Sequence, residues 1–201
     1  MKIGIVGSGR IGGSLGELFA AAGHEVLLSS RHPEQLAERA SAIGAKAGSI
    51  ADAAAFGDVV VFAPPWRTKD EAVSQMGAAA GKVVIDTTNP YTADGAVEDL
   101  GDDSSSEIVA RLLPDVRLVK AFNTIYFEHL RTQGRESADR RALPIAGDDD
   151  SAKEIVAQLI HDIGYVAFDV GSLKDGRKQQ PGTALYNERM TIGEAKEALG
   201  A

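Results

Sequence analysis

The chain has 201 residues, 44% of them hydrophobic and 25% charged, with a formal net charge of −8; this suits one sizeable α/β domain and, with no basic cluster, argues against a nucleic-acid surface. The absence of cysteine excludes disulfides, thiol catalysis and thiolate metal sites, and His24, His32, His129 and His161 lack ligand spacing, so no metal is expected. No apolar run approaches the ~18 residues of a membrane span and the first residues already read as a core strand, so no membrane partner and a cytoplasmic location are expected.

Residues 3–6 form a short apolar run that reads as a buried parallel strand. It ends at Gly7, and Gly7, Gly9 and Gly12 follow the spacing G-x-G-x-x-G, with Ser8, Arg10 and Ile11 between them. Ile11, Leu15, Leu18, Phe19 and Ala22 then recur at helical spacing. Strand, glycine turn and helix together form a dinucleotide-binding fingerprint. Gly7 permits the turn, Gly9 lets backbone approach a pyrophosphate, and Gly12 lets the helix pack against the strand. The helix amides and its positive end then face the phosphates. A second strand over 24–28 ends in Ser29-Ser30-Arg31-His32. An NAD site places a carboxylate about 20 residues beyond the glycines. Ser29, Ser30 and Arg31 stand there instead, and hydroxyls with a guanidinium would hold a ribose phosphate. NADP(H) is therefore expected over NAD(H).

A helix beginning at Pro33 is expected over 33–43, a short strand over 45–49 and a short helix over 49–56. The strand over 59–63 breaks at Pro64-Pro65, and from Trp66 the chain turns helical to Met76. Trp66 is either a platform for a ring or a lid on the core. A strand over 83–86 leads into Thr87-Thr88-Asn89-Pro90-Tyr91 and a polar, mobile loop over 92–106. A helix over 106–113 is capped by Ser105 or Ser106, and a strand follows over 116–121. Arg131, Arg135, Arg140 and Arg141, broken by Glu136 and Asp139, read as a solvated loop. A strand over 143–146 precedes Asp148, Asp149 and Asp150, whose charges suit the start of a helix over 151–163. The last strand spans 165–170. Residues 171–187 have no clear period and should form an extended arm, and a helix over 190–199 follows. The alternation implies a Rossmann-type doubly wound, mostly parallel α/β sheet with a short C-terminal extension. Residues 1–173 are expected to be an NADP-binding domain, and 174–201 an extension packing on it or on a partner subunit.

Ligands in open α/β sheets bind beyond the carboxyl ends of the strands. The candidates are the glycine loop, Ser29–Arg31, the strand end Ala63-Pro64-Pro65, Asn89, and Ala121, Phe122, Asn123 and Thr124, which would line a nicotinamide pocket. Lys120, a candidate catalytic acid at a strand end, is read instead as ion-paired or snorkelling. No nucleophile is paired with a base and Tyr-x-x-x-Lys is absent, so no catalytic side chain is expected. Such a site suits hydride transfer, where the cofactor carries the chemistry.

IVGSGRIGGSLGELFAAAGHEV, SSR, DVVVFAPPW, VVIDTTNP, KAFNTI, AGDDDSAKEIVAQLI and GYVAFDVGSL span residues 2–173. Together they resemble the NADPH-dependent oxidoreductases of the deazaflavin coenzyme F-420. A KAFNT-like stretch also occurs in the cytosolic NADPH–flavin reductase part of membrane metalloreductases. The resemblance implies NADPH held by residues 7–12, Ser30 and Arg31, with Pro64 and the Asn123–Thr124 region beside the nicotinamide. It implies a deazaflavin over that ring, in a cleft covered by C-terminal residues, and a homodimer as is common in the family. The family continues into a longer apolar helical end, whereas LKDGRKQQPGTALYNERM is polar. The expected partner is thus a small-molecule redox acceptor, F-420 or a flavin. An NADPH-dependent reductase of FAD, FMN, a quinone or a ferric chelate is the alternative enzyme, and a non-catalytic NADPH-binding sensor the alternative of another class.

Overall fold

The computed structural model describes residues 1–77, 79–134 and 139–200. The first half of the chain forms β1 (Lys2–Val6), α1 (Arg10–Ala21), β2 (Glu25–Ser29), α2 (Ala37–Ala42), β3 (Lys46–Gly48), α3 (Ile50–Phe56), β4 (Val59–Phe62), α4 (Lys69–Met76) and β5 (Val83–Asp86). Then come α5 (Ser105–Leu112), β6 (Arg117–Lys120), α6 (Phe127–Thr132), β7 (Ala142–Gly147), α7 (Asp150–Asp162), β8 (Val166–Asp169) and α8 (Ile192–Ala198). The sheet order is β3-β2-β1-β4-β5-β6-β7-β8. Strands β1 to β6 run parallel, while β7 turns antiparallel to β6, pairing Lys120 with Ala146, and β8 runs parallel to β7.

Strands β4 (VVVF) and β5 (VVID) are buried on both faces, as parallel strands under two helical layers must be. Alternate residues serve opposite cores. Val59 and Val61 join Ile5, Leu15, Phe19 and Val156, under α1 and α7. Val60 and Phe62 join Ala53, Trp66, Met76 and Val109, under α3, α4 and α5. A third cluster sets Leu185 and Ala195 against Phe168 and Val170, so the C-terminal segment covers the β7–β8 side of the sheet. Parallel strands bring Gly7, Ser30, Ala63, Thr87 and Ala121 to one edge of the sheet, just beyond the strand ends.

Several boundaries differ from the sequence expectations. The helix expected over 33–43 is a 3-10 turn, Pro33–Leu36, followed by α2. Helix α5 is capped by Ser104 rather than Ser105 or Ser106, because Ser104 and Glu107 complete a reciprocal capping box. The arm expected to be extended contains a 3-10 turn, Lys174–Gln179. Helix α6 replaces part of the expected basic loop. Arg141 is buried, against expectation, and donates to Gln133 Oε1 at 2.8 Å and to the Glu188 carbonyl at 2.8 Å. Arg131 pairs with Glu17 at 2.9 Å, while Arg135 and Glu136 lie outside the described residues. Of the three aspartates, Asp149 caps α7 and pairs with Arg117 at 2.7 Å, and Asp148 accepts from the Leu173 amide at 2.9 Å.

Candidate dinucleotide and acceptor site

The three glycines sit in three different environments. Gly7 has φ 92°, and a Cβ there would lie 2.8 Å from the Ala63 carbonyl. A Cβ on Gly12 would lie 2.0 Å from the Gly7 carbonyl, so helix and turn touch at that point. At Gly9 a Cβ would meet nothing within 4 Å. The loop thus leaves open space at the position where backbone must approach a phosphate.

The N-terminus of α1 is open in a second sense. Gly9 at its cap offers no side chain, and its first turn holds no acidic residue. Among the described α-helices α1 alone lacks both. Ser49, Ser104, Asp149 and Thr191 cap α3, α5, α7 and α8, and Glu38, Asp70 and Glu128 stand in the first turns of α2, α4 and α6. The first amides of α1 therefore have neither an intrahelical partner nor a capping oxygen, which is what an incoming anion needs. Ser8 contributes in two ways. Its amide donates to the Ser29 carbonyl at 3.1 Å, tying the loop to β2, and its Oγ is buried without a partner. Arg39 braces the loop from outside, donating to the Ser8 carbonyl at 3.2 Å and pairing with Glu17 at 2.9 Å. No spacing or motif in the sequence marks Arg39 for this role.

On the β2 side of the loop lies a cleft walled by Gly7, Ser30, Arg31, Pro64, Pro65 and Arg67, among others. Arg31 and Arg67 are both exposed at its rim. Ser30 accepts from the His32 amide at 3.0 Å. Ser29 is the exception within the SSR motif. It ends β2, is fully buried, and its hydroxyl donates to the Ile5 carbonyl of the neighbouring β1 at 2.7 Å. Pro64, expected beside the nicotinamide, lines this cleft together with Arg31. Ala63 is half-buried and its amide donates to the Val6 carbonyl at 2.8 Å, closing β4 onto the loop. Trp66 is a lid: it is buried in the core and its indole donates to Glu98 at 2.6 Å. With Trp66 anchored in the core, the next residue, Arg67, is held at the rim.

The second cleft lies on the other side of α1's N-terminus. Arg10, Ile11, Asn89, Phe122, Asn123 and Tyr186 are among its walls. Phe122 holds φ 63°, a left-handed conformation that costs a side-chain-bearing residue about 1–3 kcal/mol. Its ring is fixed edge-on against Phe19, with centroids 6.3 Å apart. Asn123 and Asn89 lock each other. Asn123 Nδ2 donates to Asn89 Oδ1 at 3.0 Å, and Asn89 Nδ2 to the Asn123 carbonyl at 2.9 Å. Asn123 Nδ2 also donates to the Gln179 carbonyl at 2.6 Å, leaving its buried Oδ1 without a partner. Ala121 is fully buried in the core, and Thr124 is buried with its carbonyl accepting from the Asn187 amide at 3.0 Å. These two shape the cleft from behind.

Beneath that cleft Lys120 is fully buried. Its ammonium pairs with Asp86 at 2.9 Å and also donates to Ser105 Oγ at 3.1 Å and to the Thr88 carbonyl. Desolvation draws its pKa down, against the opposing pull of Asp86. Of the two readings for this strand-end lysine, the ion pair is the one observed. Tyr186, in the C-terminal segment expected to cover the acceptor cleft, is one of its walls. Among the described residues no cluster of His, Cys, Asp or Glu could hold a metal, and no helix is long and apolar enough to cross a membrane.

Residues 2–90 match the family described as NADP oxidoreductase, coenzyme F420-dependent. The chain is 33% identical over 196 residues to the F420-dependent NADP reductase of Methanothermobacter thermautotrophicus, covering 88% of this chain and 84% of that one. It is 28% identical over 178 residues to metalloreductase STEAP3 of Rattus norvegicus, covering 88% of this chain but only 35% of that protein. Two solved structures share the fold along nearly the whole chain. A hypothetical protein from Sinorhizobium meliloti superposes with a TM-score of 0.86 at 32% identity, covering 94% of this chain and 95% of that one. A putative F420-dependent NADP reductase from Arthrobacter gives 0.78 at 27% identity, covering 95% and 99%. By the extent of the match to the Methanothermobacter enzyme, joined to the family match over its nucleotide-binding half, this chain belongs to the F420-dependent NADP oxidoreductases, a family of NADPH-dependent enzymes that work with NADP(H) and coenzyme F420.

Proposed function

We propose that this chain transfers hydride directly between NADP(H), laid across the glycine loop, and a deazaflavin or flavin-like ring in the second cleft. The observation that carries the proposal is the bare N-terminus of α1, set between a cleft rimmed by two arginines and a cleft of rings and amides. The groups present suit NADP(H). The amides of residues 10–12 would take the pyrophosphate, and Ser30, Arg31 and Arg67 the ribose phosphate and adenine. The unpartnered Asn123 Oδ1 would accept from the carboxamide. Bound NADPH supplies the hydride. The protein's part is to align the rings and keep water away; Phe122, fully buried against Phe19, fixes the backbone from which the Asn123 amide faces the cleft.

A flavin in place of the deazaflavin is the second reading. The likeness to metalloreductase STEAP3 and the polar character of residues 173–190 favour it. An anaerobic screen separates the readings: NADPH with F420, FMN, FAD, a quinone or a ferric chelate, following NADPH absorbance. Oxidation fastest with F420 is expected. Oxidation by FMN or FAD alone selects the flavin reading. Tight NADPH binding without oxidation by any acceptor would leave a sensor.

A further inference from the structure

The second cleft contains a hydroxyl whose own proton is uncommitted. Tyr91 OH donates to the Tyr186 oxygen at 3.0 Å, and Asn89 Nδ2 donates to it at 3.4 Å. Those two bonds occupy the lone pairs of the phenol oxygen, so its hydrogen is left for whatever enters the cleft. Burial pushes the Tyr186 phenol above its ordinary range, against the opposing pull of the Asn187 side chain, so it remains protonated at neutral pH.

The segment that carries Tyr186 is fixed, although it is irregular. The Asn187 amide bonds the Thr124 carbonyl at 3.0 Å, with Asn187 itself at φ 62°. Arg141 holds the Glu188 carbonyl at 2.8 Å, and Gln179 lies under Asn123. Tyr186 therefore stands at a set position opposite the strained Phe122. Tyr91 is 36% exposed and leads from the Tyr186 oxygen to water.

We infer that the Tyr186 hydroxyl donates a hydrogen bond, and during turnover a proton, to a ring nitrogen or carbonyl of the acceptor, with Tyr91 as its link to solvent. This rests on the second cleft being the acceptor site, and it departs from the expectation that no side chain takes part. The C4–H bond of the dihydronicotinamide breaks, and its hydrogen leaves with both electrons to bond to the acceptor. The nicotinamide is oxidised and the acceptor reduced. The Tyr186 O–H bond breaks as its proton meets the negative charge that arrives with the hydride. The phenolate then takes the Tyr91 proton, and Tyr91 takes one from water.

The test compares the unmodified protein with Y186F and Y91F, both of which keep the ring and its packing. The NADP+-loaded proteins are titrated with oxidised 5-deazariboflavin by fluorescence, and NADPH oxidation by the same ring is followed across pH in H2O and D2O. Y186F should bind the ring about 3- to 10-fold more weakly, the range for one lost hydrogen bond. Its turnover should fall about 100-fold or more, with the solvent isotope effect abolished and NADP+ affinity unchanged. Y91F should shift the pH profile with a smaller loss. A Y186F protein that binds and reduces the ring as well as the unmodified one overturns the assignment alone. Unmodified protein that binds NADP+ yet neither binds nor reduces the ring overturns the acceptor-site reading and this assignment with it.

Discussion

The two clefts flanking α1 are built in opposite ways. The first is local in sequence: Gly7, Ser30 and Arg31 fall within one βαβ unit, with Pro64, Pro65 and Arg67 arriving from the next strand. The second draws Arg10, Asn89, Phe122, Asn123 and Tyr186 from both ends of the chain. The first is held by backbone geometry, and the second by side-chain bonds over a buried ion pair. A cleft made of backbone tolerates side-chain change except where an added Cβ meets backbone, as at Gly7 and Gly12. A cleft held by buried polar groups should fail when one partner is removed.

The largest expected effect follows from that difference. Lys120→Ala leaves Asp86 buried and unpaired, and should lower folding stability by about 3–5 kcal/mol. Urea unfolding measures this. A change below about 1 kcal/mol would mean that the floor of the second cleft is held by packing. With stability lowered by the expected amount, a loss of turnover in this variant is a loss of fold, not of a catalytic acid.

Gly9→Val and Gly12→Val sharpen the contrast inside the first region. A side chain at Gly9 meets open space in the protein but would fill the place proposed for the pyrophosphate. NADPH affinity should fall by more than about 100-fold, roughly 2.7 kcal/mol, with the ligand-free melting temperature nearly constant. Gly12→Val forces a Cβ against the Gly7 carbonyl and should lower that temperature as well. Equal melting temperatures for the two variants would refute the division of roles.

Arg31→Ala should weaken NADPH by about 1.5–3 kcal/mol, some 10- to 150-fold, and leave NADH nearly unchanged. Arg67→Ala should cost less, about 0.5–1 kcal/mol, and affect both nucleotides alike if its guanidinium stacks on adenine. Calorimetry with both nucleotides decides. A loss confined to NADPH in Arg67→Ala would place Arg67 on the ribose phosphate too.

The same division explains what the sequence disclosed. The β1 strand, the glycines and Arg31 are local, and spacing alone singles them out. Ser29 misled because it adjoins Ser30 in sequence, while as the last residue of β2 it is buried with its hydroxyl on the Ile5 carbonyl. The cap of α5 was legible, since Ser104 and Glu107 have capping-box spacing, but the run of three serines hid it. The antiparallel turn of β7, the burial of Arg141 and the arrival of Tyr186 at Asn89 depend on long-range contacts. No period or propensity encodes these.

The smallest effect concerns acid, and it too separates the two regions. Asp175 accepts from the Ser172 amide at 2.9 Å and hydroxyl at 2.7 Å, and pairs with Lys178 at 2.9 Å. Lys178 first, then the Ser172 bonds, hold its carboxyl down to about 2, against 3.8 for a free aspartate. A folded pKa below the unfolded one gives stability that is complete above the unfolded value and is lost as pH falls through the folded one. The turn at Lys174–Gln179 should therefore loosen as pH drops from about 4 to about 2. That turn sets Gln179 under Asn123, so the second cleft should loosen with it, while the glycine loop, tied to β2 through the Ser8 amide and braced by Arg39, should not. Hydrogen exchange corrected for intrinsic rates reads both, comparing amides of residues 172–180 with those of 8–13. Asp175→Asn should flatten the pH dependence at the turn and leave the loop untouched. If both regions lose protection together and Asp175→Asn changes neither, the acid response is global and the two clefts are not independently held.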